Sequence, residues 1–166
     1  MPTEQLTSGE RSPLGSLTAV VDCRRVRLYR RRGGLAGMLR GIVLAASQNR
    51  AVALGNHVFL PDRCRGDVAV LAHELTHCGQ YQAWGPLVYF ARGAREQLRD
   101  LLYRSTGIGS SPYRYRIEAG KPFGSYGMEQ QAQIVEDSFR GRPDALAISP
   151  FRPARQPAAD YTIPSA

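Results

Sequence analysis

The spacing of apolar residues changes several times along the chain, and each change predicts an element. "LTAVVDC" at 17–23 is followed by "RVRLY" at 25–29, and the near-alternation predicts one or two strands up to residue 30. The stretch "GLAGMLRGIVLAAS" at 34–47 fits a short helix running into an extended segment. In "AVALGNHVFLP" two strand-like runs flank Gly55-Asn56, a two-residue hairpin signal. From Asp67 the period lengthens: Val68, Leu71, Leu75 and Cys78 recur at three and four, which predicts a helix that Gly85-Pro86 ends or kinks. A second helix is expected from Leu87 to about Arg104, with Leu87, Phe90, Ala94, Leu98 and Leu101 on one stripe. "YRYRI" at 113–117 alternates like a strand, and a third helix from near Ser125 aligns Met128, Ala132, Val135 and Phe139.

These elements predict one α+β domain over 18–140, a small N-terminal sheet packed on a helical region. Residues 1–17, polar and containing Pro and Gly, are expected to form a disordered lead. Residues 141–166 carry five prolines and are expected to be a Pro-rich tail. No secretory signal pattern opens the chain, and no run approaches the roughly 20 apolar residues of a membrane span. The expectation is a soluble protein of cytoplasmic synthesis, exported, if at all, by a specialised secretion system.

Composition changes the picture only slightly. The net charge is +8, yet Lys121 is the single lysine among 22 basic residues, as arginine-rich coding in a GC-rich genome would also produce. Six arginines cluster at Arg24, Arg25, Arg27, Arg30, Arg31 and Arg32, with Val26 and Leu28 between them. That pattern suits a half-exposed strand ending in a charged turn better than a nucleic-acid patch, since no aromatic stacking platform accompanies it. Three cysteines, Cys23, Cys64 and Cys78, do not make a disulfide framework.

The chemistry concentrates in "LAHELTHCGQYQAWG" at 71–85. His73 and His77 are four residues apart, so on a helix both imidazoles project from one face and can reach one zinc ion. Glu74 follows the first histidine by about 100° and can point to a water at the metal, as a general base should. With three histidines and seven glutamates in the chain, chance placement of H-E-x-x-H is a roughly 0.2% event. The longer metzincin pattern is excluded, because Gln80 and Ala83 stand where it needs glycine and histidine.

The third ligand must come from elsewhere. Glu129, in "YGMEQQAQIVEDSF" at 126–139, is the favoured candidate; Glu136 lies seven residues on, nearly on the same helical face, and His57 is a third option. Gln80 and Asp137 could orient ligands, and Tyr113, Tyr115 and Tyr126 could stabilise an oxyanion.

Together, "LAHELTHCGQYQAWGP" and "YGMEQQAQIVEDSF" resemble small bacterial zincin-like domains related to Vgr or Rhs components of contractile injection and type VI secretion systems. The resemblance spans roughly residues 50–140. It implies a zincin-like fold of gluzincin type, with His73, His77 and Glu129 as zinc ligands and Glu74 as general base. The implied activity is a zinc metallopeptidase: hydrolysis of a peptide bond in a protein or peptide substrate, with injection-system components as partners. Two other readings stand beside it: a non-catalytic zinc-binding accessory or structural module of such a system, and a basic nucleic-acid-binding protein.

Overall fold

The computed structural model describes residues 4–30, 33–109 and 111–154. Its elements follow as α1 (Ser8–Arg11), α2 (Leu17–Val20), β1 (Arg27–Tyr29), α3 (Gly34–Ala46), β2 (Val52–Leu54), β3 (His57–Phe59), α4 (Val68–Thr106), α5 (Met128–Phe139) and α6 (Pro143–Ile148). The architecture is α+β.

The three strands form one sheet in the order β1-β3-β2, with β1 parallel to β3 and β2 antiparallel to it. β2 and β3 form the expected hairpin: Leu54 pairs with His57, so Gly55 and Asn56 alone make the turn. Gly55 takes φ +64°, the left-handed value demanded at the first turn position of a type II′ hairpin. α3 crosses over between β1 and the hairpin and is pinned by buried Arg40, whose guanidinium donates to the Leu60 carbonyl and to Asp62. The segment 34–47 is therefore helical throughout most of its length.

α4 begins where the sequence predicts. Asp67 is its N-cap, accepting from the amides of Ala69 and Val70. At Gly85 (φ +75°, ψ +167°) the helix breaks its direction, and Pro86 opens a second limb that runs to Thr106 and ends on Gly107 in the left-handed conformation. The first limb carries Leu71, Ala72, Leu75 and Cys78 into the main core, together with Val26, Leu28, Val58 and Val135. α5 lies against that limb through Ala132 and Val135, both fully buried.

Four expectations fail. Residues 1–17 are not a disordered lead in their described part: Thr7 and Glu10 cap α1 reciprocally, Glu4 bridges to Leu28, and Leu6, Leu14 and Leu17 are core residues. "LTAVVDC" forms α2 and a turn, because Leu17 and Val21, four apart, face the core together. "YRYRI" joins no strand; Tyr113 and Tyr115 instead bond Gln97 and Asp137 through their hydroxyls. Residues 141–154 include α6, which Pro143 starts at the one helical turn where proline costs nothing, and which buries Ala145. The remainder of that tail, 155–166, lies outside the described residues.

The arginine cluster fits a strand edge. Val26 and Leu28 are buried, Arg27 donates to the carbonyls of Arg24 and Val26, and Arg30 pairs with Glu4 and Glu10. Arg31 and Arg32 lie outside the described residues.

Candidate metal centre

α4 and α5 run in opposite directions past each other, and their contacts show it: His73 meets Glu136, whereas His77 meets Glu129. Two carboxylates seven residues apart on α5 thus face two histidines four apart on α4. His77 Nε2 lies 3.5 Å from Glu129 Oε2. One ligand atom from each of His73, His77 and Glu129 can be chosen so that all three lie within 4.8 Å of one another, the spacing at which one ion can be shared. Two imidazoles and a carboxylate are a donor set suited to zinc, so these residues fit the metal that the motif implies.

The other faces of both imidazoles are occupied. His77 Nδ1 is 2.9 Å from Gln80 Oε1, and the Gln80 amide donates in turn to the Met128 carbonyl and to Gln131 Oε1. Gln131 then donates to the Tyr126 carbonyl. His73 Nδ1 is 3.1 Å from Glu136 Oε2, an ion-pair contact that lacks the alignment of a hydrogen bond. His77 is therefore oriented through Nδ1 with Nε2 turned to Glu129, the arrangement that outer partners impose at metal-binding histidines, while Glu136 stands beside Nδ1 of His73 as a charge contact. Glu136, the sequence rival for third ligand, takes this outer position, and Arg140 holds it by two hydrogen bonds.

The electrostatics follow from burial and pairing. Burial pulls the His77 imidazole down, but Glu129 and Glu74 beside it push it up to about 9. Burial raises the Glu129 carboxyl, while His77 and His73 more than offset this and hold it below the usual range. The two form an ion pair in the metal-free chain, so metal loading near neutral pH must displace a proton from His77. Glu136 is held low by its contact with His73, ahead of the opposing effect of burial.

Glu74 is the outlier. It is 4% exposed, its Oε2 is sealed from solvent without a hydrogen-bond partner, and burial raises its carboxyl despite both histidines. A lone buried carboxylate is costly, and such groups concentrate where chemistry uses them.

The structure also supplies a residue that the sequence gives no reason to suspect. Gly127, the N-cap of α5, has no side chain to receive the first amides of the helix. Glu96, from the second limb of α4, takes that part: its carboxylate accepts from Met128 N at 2.8 Å and Glu129 N at 3.1 Å. A Cβ on residue 127 would stand 2.8 Å from Glu96 Oε1, so glycine is what admits this carboxylate. Glu96 fixes the turn of α5 that carries Glu129. Gly127→Ala is expected to cost about 1 kcal/mol, the scale of a lost helix cap, and to weaken metal binding by displacing Glu129. Urea denaturation and a zinc competition titration check both effects.

The remaining sequence candidates lie apart from the cluster. His57 begins β3, exposed, with Nδ1 3.0 Å from the Tyr29 hydroxyl. Asp137 binds Tyr115, Gln133 and Arg142 rather than a histidine. The Tyr126 hydroxyl accepts from Glu118 N, and Tyr113 accepts from Gln97. The three cysteines are free thiols, and burial pushes the Cys78 thiol far up, which makes it an inert core residue.

Residues 37–85 match a family model described as the eCIS core domain, the core of extracellular contractile injection systems. The matched segment runs from within α3 to the kink at Gly85 and includes His73, Glu74 and His77, but stops short of Glu129. It links the chain to injection-system proteins. No curated protein and no solved structure matches the chain. Among the described residues no helix is long and apolar enough to cross a membrane.

Proposed function

We propose that this chain is a component of a contractile injection system that carries a zinc centre on His73, His77 and Glu129 and uses it to hydrolyse a peptide bond. The observation that carries this reading is the convergence of those three donors from two antiparallel helices, with the His77 imidazole oriented from behind by Gln80. The antiparallel pair, α4 with its histidines and α5 with its glutamate, is the part of a zincin-like fold that such a site needs.

When bound, zinc would act as a Lewis acid and lower the pKa of a water in its open position. The chain's own residues account for the rest. His77 is held in one ring orientation by the Gln80–Gln131 relay, and the Glu136 carboxylate lies beside Nδ1 of His73. Glu129 is held by the Glu96 cap. Glu74, adjacent to His73 on the helix and with its carboxyl raised by burial, would serve as the proton acceptor and return the proton to a leaving amine. His73 and Glu129 keep part of their side chains exposed, at 16% and 18%, so the cluster is open to a small ligand on one side.

A second reading has support of its own: a non-catalytic accessory module in which zinc staples α4 to α5. The family match favours it, since that match names an injection system and no peptidase. Glu74 separates the two. Zinc-loaded chain is incubated with a denatured protein mixture, and new peptide termini are read by mass spectrometry beside Glu74→Gln. Hydrolysis predicts new termini with the wild type and at least a ~100-fold loss in Glu74→Gln, which still binds zinc. No new termini from either protein, both holding zinc, would assign the accessory role.

A further inference from the structure

The second limb of α4, residues 86–106, sits on the protein with its amphipathicity reversed. The stripe turned inward is polar: Tyr89, Gly93, Glu96, Asp100 and Tyr103 recur at three and four, and these alone on the limb are buried or half-buried. Tyr89 donates to the Ala53 carbonyl, Glu96 caps α5, and Asp100 accepts from Ser111 and pairs with Arg104. At about 100° per residue, the stripe of Leu87, Phe90, Ala94, Leu98 and Leu101 lies roughly opposite, facing solvent. Leu87 is 85% exposed, Phe90 50%, Leu98 57% and Leu101 62%.

Charge decides what could cover that stripe. The limb has two acidic residues, Glu96 and Asp100, and both are turned inward. Arg92, Arg95 and Arg99 are exposed and lie along one edge of the apolar stripe, with no carboxylate partner among the described residues; Arg92 stacks over the Trp84 ring at 4.2 Å, which leaves its N–H groups free to bind anions. The outward arc is therefore apolar and cationic over 21 residues, about 30 Å of helix. We infer that this limb is a docking face for an anionic lipid bilayer: the leucines and Phe90 enter the acyl boundary while the three arginines bind headgroup phosphates. An antiparallel second copy of the chain would bring two arginine rows together, whereas anionic headgroups meet both the arginine row and the apolar stripe beside it. The inference is independent of the zinc centre, and no residue of that centre is exposed on the arc.

Flotation of the full chain with vesicles tests it, using phosphatidylcholine alone and phosphatidylcholine with added phosphatidylglycerol. Binding is expected only where phosphatidylglycerol is present, weakening as salt rises. Replacing Arg92, Arg95 and Arg99 together by Gln should cost roughly 100-fold in vesicle affinity. Leu98→Gln with Leu101→Gln should cost about 10-fold or more. Unchanged far-UV circular dichroism in both variants shows that the fold survives. Failure to bind phosphatidylglycerol vesicles, or binding that ignores both sets of substitutions, overturns the inference. So would a stable dimer dispersed by the leucine changes, or leucine-dependent binding of polyglutamate without vesicle binding, which would give the face to a second copy or to an acidic protein.

Discussion

Glu129→Gln should weaken zinc binding by more than about 100-fold, whereas Glu136→Gln should weaken it by about 10-fold, because one is a proposed ligand and the other only orients one. Glutamine keeps the shape of each side chain, so the comparison isolates the carboxylate. Glu129 Oε2 is 3.5 Å from His77 Nε2 and belongs to the three-donor cluster. Glu136 reaches only the Nδ1 edge of His73 and shares its charge with Arg140. Competition titration against a chromophoric chelator ranks the two. Equal losses, or the larger loss at Glu136, would reassign the third ligand.

The second large effect concerns stability rather than binding. Glu74→Met in metal-free protein is expected to raise stability by about 1–3 kcal/mol at pH 8, the cost of a buried polar group without partners. Methionine is unbranched and of similar length, so it fills the same space without the charge. The sign of the pH dependence is fixed by the raised carboxyl. A group whose pKa is higher folded than unfolded contributes stability that is present below its unfolded value and lost as pH rises through the folded one. The gain from Glu74→Met should therefore shrink as pH falls towards 4.5. Urea midpoints in the presence of a chelator, at pH 8 and pH 5, read both quantities. A variant less stable than wild type at pH 8 would make Glu74 a structural residue.

The parts of this molecule legible in its sequence are those set by local rules. The hairpin at Gly55-Asn56, the start of α4 at Asp67, the kink at Gly85-Pro86 and the α5 stripe of Met128, Ala132 and Val135 each follow from a turn residue or a helical period. His73 and His77 needed only their spacing, and Glu129 could be named as a candidate because α5 was. What pairs with what across 50 residues could not be read that way. The Glu96 cap joins the second limb of α4 to Gly127, and nothing in the local pattern of either segment foretells it.

Spacing alone does not show what an apolar or alternating face packs against. Alternation in "YRYRI" predicts a strand that does not form, because the tyrosines are placed by their hydroxyls; the apolar spacing of 87–101 predicts the helix that is there, but not that its stripe faces solvent. In the opposite direction, residues 1–17 read as a disordered lead because Leu6, Leu14 and Leu17 are spaced too irregularly to announce a core segment, although Thr7 and Glu10 cap a short helix there. Periodicity reports which face is apolar; what covers that face is a tertiary fact.

The most direct measurement is X-ray absorption at the zinc edge, on protein prepared without a metal-affinity tag and loaded with one equivalent of zinc. The expected first shell is light atoms only, at about 2.0–2.1 Å, with the multiple-scattering signature of two imidazoles, and one imidazole fewer in His77→Ala. A shell containing sulfur at about 2.3 Å, an imidazole count indifferent to His77, or no zinc retained would contradict a centre built on His73, His77 and Glu129.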